Sequence, residues 1–318
     1  MENHTAPNRC APILFALLCA APLRAQEGDG GARVRARVEQ RLADWRAGKL
    51  AGADQLCDAL VGLGRDASPH LCRLLEEPSS DFPVGPVARA VARLGSPQCL
   101  PALGHLTASP LAANRAAAIE ALGILGREEA LPSLAGALDD EDPDVSEKAE
   151  SALLAQRLPT AHVARALSLR IEAGKDKDRA ARVLGRLGGG EAHVILLGHL
   201  DSSDERQSLA ALQGLRILSL QEDGPEVLLL MRTTPSAEIR KEACLYFGGV
   251  KYGPAVRDLI ELLREETPGL AANAHWALKQ ITGLGLKQDA ELWGFWWDRS
   301  GKKLYGPHPD PRSRQPKG

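Results

Sequence analysis

The sequence predicts an all-α array of stacked helix pairs, and three observations carry that expectation. An apolar slot recurs every 31 residues at Leu60, Val91, Leu122, Leu153, Leu184 and Leu215, then at Phe247 after 32 and Leu278 after 31 more. A second slot, Leu138, Leu169, Leu200 and Met231, keeps the same step of 31 and reaches Leu263 after 32. Both registers slip around Thr233, Thr234, Pro235 and Ser236, so one loop insertion explains both. Finally, aromatic residues make up only 4% of the 318 residues, whereas Ala, Leu and Gly abound. Small side chains suit closely stacked helices better than strands, which favour β-branched and aromatic residues. A period of about 20–50 residues marks supersecondary units that bury their apolar faces only against their neighbours.

Residues 1–25 read as a secretory signal. Arg9 supplies a positive start, Ala11 to Leu23 is apolar, and Ala25 offers a small residue before a cut ahead of Gln26. The apolar run is short for a membrane span, which needs about 20 residues. Cys19 raises a lipoprotein site, but Leu17 and Leu18 place bulk where that signal wants a small residue.

Residues 26–53 form a polar, Gly-rich leader and an opening helix in which Val34, Val38, Leu42 and Trp45 recur at helical spacing; Gly48 ends it. The repeats fill 54–283. The clearest unit runs from Ala113 to Pro143. Its first helix carries Leu122 and Leu125 and closes at Gly126, and its second has Pro132 in the first turn, where a missing N–H costs little. Asp139 to Asp144 is an acidic exit loop, and Asp144 with Glu147 fits a capping box for the next helix. Residues 284–299 hold Leu292, Trp293, Trp296 and Trp297, one apolar side of a short helix suited to sealing the end of a stack. Residues 300–318, with four prolines and several basic residues, have the composition of a disordered tail.

The pattern Arg-x-x-Ala-x-x-Ala-Leu-Gly-x-Leu-Gly-x-x-x-Ala-Leu-Pro-x-Leu, met almost residue for residue from Arg115 to Leu134, resembles the short HEAT-like repeat named after phycobilisome lyases. Looser matches lie at 89–103, 179–197 and 240–262. The resemblance implies a right-handed α-solenoid of about seven to eight helix pairs, with the Arg-x-x-Ala helices on the concave side. Thr282-Gly283 followed by Trp293, Trp296 and Trp297 resembles an ending found on secreted bacterial HEAT-repeat proteins. The family is functionally broad, so the match speaks to fold more than to activity.

Four cysteines follow the signal: Cys57, Cys72, Cys99 and Cys244. Cys57 and Cys72 flank the turn at Gly64–Ala67 and are placed to face each other across a hairpin, but their register-mates are mostly apolar, which favours small core residues. The cysteine spacing fits neither a zinc ribbon nor a thioredoxin motif.

The formal net charge of −2 gives no field that would steer the chain to nucleic acid. The acidic loop lacks the glycine and terminal glutamate of a calcium loop. His162 and His193 stand 31 apart, but no third ligand recurs at that register, so both read as solvated or loosely packed. HEAT-type deoxyhypusine hydroxylases hold irons with His-Glu pairs, and this chain contains no His-Glu dipeptide. Gly188-Gly189-Gly190 lacks the Lys-Ser/Thr of a phosphate loop. No catalytic residue, metal or cofactor is expected.

What remains is a surface. The position two before the first slot is turned by about 200° from the core. That row reads Arg89, Glu120, Ser151, Arg182, Gln213, Leu245 and Trp276. Its early members are polar; Leu245 and Trp276 form a candidate anchor, or Trp276 packs on the C-terminal cap. The expected function is an exported, periplasmic or secreted, non-catalytic scaffold that binds another protein through its concave surface. The alternatives are a permanent subunit of an envelope assembly and an enzyme accessory of the lyase type. Fusing residues 1–30 to a reporter should carry it across the membrane with a mature N-terminus near Gln26; retention in the cytoplasm overturns the export reading.

Overall fold

The computed structural model describes residues 29–306 except 80, 156, 175 and 176; the signal-like segment 1–25, the start of the leader and residues 307–318 lie outside these. α1 (Asp29–Arg46) opens the array with Val38 and Leu42 buried. Helix pairs then follow: α2 (Ala53–Val61) with α3 (Ser68–Glu76), α4 (Val84–Arg93) with α5 (Leu100–Leu106), α6 (Ala112–Leu125) with α7 (Leu131–Gly136), and α8 (Pro143–Leu154) with α9 (Thr160–Glu172). The series continues through α10 (Lys177–Leu187) with α11 (Gly189–Leu200), α12 (Glu205–Leu218) with α13 (Gly224–Thr233), and α14 (Ala237–Val250) with α15 (Val256–Leu262). An eighth first helix, α16 (Leu270–Thr282), is followed by α17 (Ala290–Trp296), a π-helical turn at Trp297–Gly301 and α18 (Lys302–Tyr305). No strand occurs among the described residues. The chain is an all-α solenoid.

First helices stack side by side, α2 on α4, α4 on α6, α6 on α8, then α10 on α12, α12 on α14 and α14 on α16. The 31-residue slot is their common seam, and all eight of its members are at most 1% exposed. The glycine of Ala-Leu-Gly permits this closeness: a Cβ on Gly123 would stand 2.6 Å from Ala152 Cβ. At Gly185 it would meet the Gly214 carbonyl oxygen at 2.5 Å. α6 ends left-handed at Gly126 (φ 58°), and α12 and α14 end the same way at Ser219 and Lys251, at φ 56° and 54°. The one-residue slip falls in the Thr234–Ser236 loop between α13 and α14.

The second register is less regular. Leu138, Leu200 and Met231 are buried, but Leu169 is 59% exposed, contrary to its place in the pattern. α9 packs on α7, α10 and α11 rather than squarely on α8, and it buries Val163, Leu167 and Ile171. Two residues beyond Leu167, Leu169 is rotated outward by about 200°.

The cysteines also differ from expectation. Cys57 is buried and free, and Cys72 bonds Cys99 with a Cα–Cα distance of 5.0 Å, tying α3 to the turn before α5. Their separation of 27 is one helical turn short of the repeat, which sets successive second helices in register for a crosslink. Cys244 is buried and free, and burial pushes its thiol up to about 12.

The C-terminal cap reaches further along the chain than the sequence suggested. Trp293 is 0% exposed, stands edge-on to His275 and Trp296, and donates its Nε1–H to the Lys287 carbonyl at 2.9 Å. Trp296 and Trp297 are half-buried, whereas Leu292, expected on the sealing side, is 39% exposed. Asp289 caps α17 by accepting from the Glu291 and Leu292 N–H groups, which fixes the rotation that turns Leu292 out. Residues 300–306, read as part of a disordered tail, fold back: Gly301 is buried, and Tyr305 packs on Trp296 and over Gly253. Tyr305, four residues after the buried Gly301, gives that short, basic stretch an apolar foot. Trp293→Ala should cost roughly 3–5 kcal/mol and Leu292→Ala less than about 0.5 kcal/mol; equal costs in chemical denaturation overturn this account of the cap.

Candidate interaction surface

The row drawn from the sequence runs from one first helix to the next, and its members differ in exposure. Ser151 and Arg182 are exposed, while Arg89, Glu120, Gln213 and Leu245 are half-buried. Trp276 is 40% exposed. Its ring lies against Gly248 of the preceding first helix, where a Cβ would collide with it.

Charges in the first half of this ridge are spent on each other. Arg89 donates from Nε to Glu120 at 3.0 Å and from Nη1 to Asp54 at 2.6 Å, linking three successive first helices. Arg93 pairs with Asp58 at 2.5 Å on the next turn. Further along, Arg186 pairs with Glu150 and Arg216 with the buried Glu242. Glu150 occupies a register position held by Cys57, Ala88, Ile119, Ala181, Leu212 and Cys244 in other repeats, so its pair with Arg186 keeps a carboxylate satisfied where apolar residues are usual.

The Arg-x-x-Ala arginines are structural. Arg115, 9% exposed, donates bidentately to Asp140 at 2.8 and 2.7 Å and from Nη1 to the Ser109 carbonyl at 3.0 Å. Arg179 donates to the Leu138 carbonyl at 2.7 Å, and Arg240 to Glu265 at 3.0 Å. The acidic loop is consumed in the same way. Asp139 pairs with Arg170, Asp140 with Arg115, and Asp144 with Lys148. Asp142, not Asp144, caps α8, accepting from the Asp144 and Val145 N–H groups, because Pro143 sets the first helical position. The Arg115 guanidinium holds the Asp140 carboxyl below the usual carboxylate range.

The two histidines part company. His162, half-exposed, lies 2.7 Å from Glu128. His193 is neither solvated nor loosely packed: its Nε2 stands 2.6 Å from Oδ1 of Asp223, a residue only 2% exposed, and its Nδ1 lies 4.0 Å from Glu222. Among the described residues, this is the one group whose donor atoms suit a metal ion.

Sequence reasoning missed a cleft on the second helices. Leu197, Leu200 and Asp201 of α11 and its exit face Glu226, Leu229, Leu230 and Thr233 of α13 across about 480 Å³. Leu229 is 64% exposed, and Val194 on α11 is 68% exposed. The signal was present: Val227-Leu228-Leu229-Leu230-Met231 is an unbroken apolar run, and a helix cannot turn five consecutive residues to one core.

The family model for HEAT repeats matches residues 68–154, about a quarter of the chain. Among solved structures, the chain is similar to human deoxyhypusine hydroxylase in complex with glycerol, at 16% identity over 80% of this chain and 99% of that one, with a TM-score of 0.30. It is similar to the CpcE–CpcF complex of phycocyanin lyase from Nostoc, at 17% identity over 89% of this chain and 98% of that one, TM-score 0.30. A designed armadillo-repeat protein matches at 17% identity over 67% and 99%, TM-score 0.29. No curated protein sequence matches the chain.

Asp140, with its folded pKa lowered, contributes stability that is complete above the unfolded carboxylate value of about 3.9 and is lost as pH falls through the lower folded value. Asp140→Asn should therefore be less stable than the parent at pH 7, with the gap narrowing below about pH 4. Urea midpoints across that range check it; a gap independent of pH removes the ion pair from the account.

Proposed function

Taking the chain as a HEAT-repeat protein, we propose that it is an exported, non-catalytic scaffold that binds another protein through its first-helix face. The observation that carries this reading is Trp276. It stands 40% exposed on the ridge, one register step beyond the half-buried Leu245, at the end of the row where its members are no longer charged. Tryptophan dominates interface energetics out of proportion to its frequency, because one rigid side chain desolvates a large area. Exposed Arg182, further back on the same ridge, offers a partner a charged contact.

Export is supported by the signal-like residues 1–25 and by the Cys72–Cys99 bond, since disulfides persist in oxidising compartments. The absence of a catalytic role rests on the chemistry of the ridge, where carboxylates and guanidiniums neutralise one another instead of converging on a reaction centre.

The apolar cleft between α11 and α13 favours a second reading, in which the partner docks on the second helices. A photo-crosslinking residue placed at Trp276, and separately at Leu229, decides between them in cells. Adducts to one protein species from position 276 support the first-helix reading. Adducts from position 229 alone move the interface to the second helices, and adducts from neither overturn the scaffold proposal.

A further inference from the structure

One register position breaks its own pattern. The place occupied by Asp223 in the sixth pair holds Ser68, Cys99, Ala130, Ala161, Ala192 and Ala255 in others, all small and, apart from Ala161 of the displaced α9, all buried. Asp223 matches the buried ones, at 2% exposure. Carboxylates are rarely buried without strong partners, since removing the charge from water is costly. Asp223 has half of what it needs. Oδ1 lies 2.6 Å from His193 Nε2, but the buried Oδ2 receives no hydrogen bond. Asp140, by contrast, is gripped by two nitrogens of Arg115.

The surroundings supply ligands, not donors. His193 projects from the first turns of α11, and Glu222 precedes Asp223 in the turn Gln221–Asp223 that opens α13. Each of the three offers one donor atom within 4.8 Å of the others. Ligands held about 2.0–2.2 Å from a tetrahedral ion stand roughly 3.4 Å apart. With one atom taken from each residue, all three lie within 4.8 Å of one another, so none is more than about 1.4 Å wider apart than that spacing. Small rotations of exposed Glu222 and of the imidazole bring the atoms to it.

We propose that His193, Glu222 and Asp223 form a binding site for a divalent transition-metal ion of the Zn²⁺ class, which clamps α11 to the turn before α13. One imidazole and two carboxylates suit a borderline ion; Ca²⁺ and Mg²⁺ prefer all-oxygen shells. Two carboxylates balance the ion's charge, and water fills the fourth position. The ion takes the place of the hydrogen bond between His193 Nε2 and Asp223 Oδ1, and a neutral imidazole ligated through Nε2 carries its one proton on Nδ1. It joins the fifth pair to the sixth at the N-terminal ends of α11 and α13, whose C-terminal halves line the apolar cleft.

The test uses the purified chain, stripped with chelator, and Zn²⁺ in competition with a chromophoric chelator. The expected result is one Zn²⁺ per chain in the micromolar range or tighter, a rise of several degrees in the thermal midpoint, and no matching effect of Mg²⁺. His193→Ala should weaken binding at least tenfold and abolish the thermal shift, with its circular dichroism unchanged. Glu222→Gln, at an exposed position, should weaken binding without loss of fold if Asp223→Asn proves unstable. His162→Ala should bind as the parent does. Unchanged affinity in His193→Ala, loss of binding in His162→Ala, or no binding at 100 micromolar Zn²⁺, taken here as about a hundredfold above the expected constant, each overturns the site.

Discussion

Everything in this molecule depends on the seam between neighbouring first helices. A single helix pair has too little apolar area to stay folded, so each one is stable only because the next covers its open face. Leu60, Val91, Leu122, Leu153, Leu184, Leu215, Phe247 and Leu278 are that covered line, none more than 1% exposed. The glycines at positions 123 and 185 let the backbones come close enough for the line to close. The same dependence explains why both ends of the array carry something other than a repeat. α1 lays Val38 and Leu42 over the first pair, and Trp293 with Trp296 covers the last first helix.

That seam was legible because translation along the stack repeats one environment at one sequence interval. The eight slots, the turn at Gly126 and the loop containing the inserted residue could all be read from spacing. The reading weakened where an element leaves the lattice. α9 sits over three other helices, so Leu169 kept its place in the count but lost its place in the core. The cysteine pairing was hidden for a related reason. A bond across two repeats joins residues 27 apart, whereas inspection of one hairpin offers only Cys57 and Cys72. At the cap, composition suggested a tail after residue 299, and only the placement of Tyr305 against Gly253 shows that residues 300–306 belong to the folded array.

The surface was less legible than the core, and the cause is electrostatic. A row of alternating charges looks like a binding face in sequence. In three dimensions Asp54, Arg89 and Glu120 satisfy one another across three helices, and pairs such as Arg186–Glu150 and Arg216–Glu242 do the same downstream. Such pairs are modest in energy when exposed, but they fix the sideways register of helices whose apolar contact alone would allow sliding. A charged residue on this ridge is therefore more informative when it has no neighbour to answer it. Among the described residues Arg182 stands exposed with no ion-pair partner, and on the opposite layer Asp223 is answered on one oxygen only, by His193.

The crosslink between Cys72 and Cys99 changes how such an array comes apart. Linear stacks ordinarily fray from their ends, because a terminal unit has one neighbour and an inner unit two. Here the first two pairs are stapled covalently and the far end is locked under an aromatic lid. The least supported joint is then internal, where α8 meets α10 only briefly and α9 lies displaced between them. Under tension or heat the rod would part at its middle, leaving two intact halves joined by a strap of unwound chain. A filament built this way behaves less like a zipper than like a pair of splints around a knuckle.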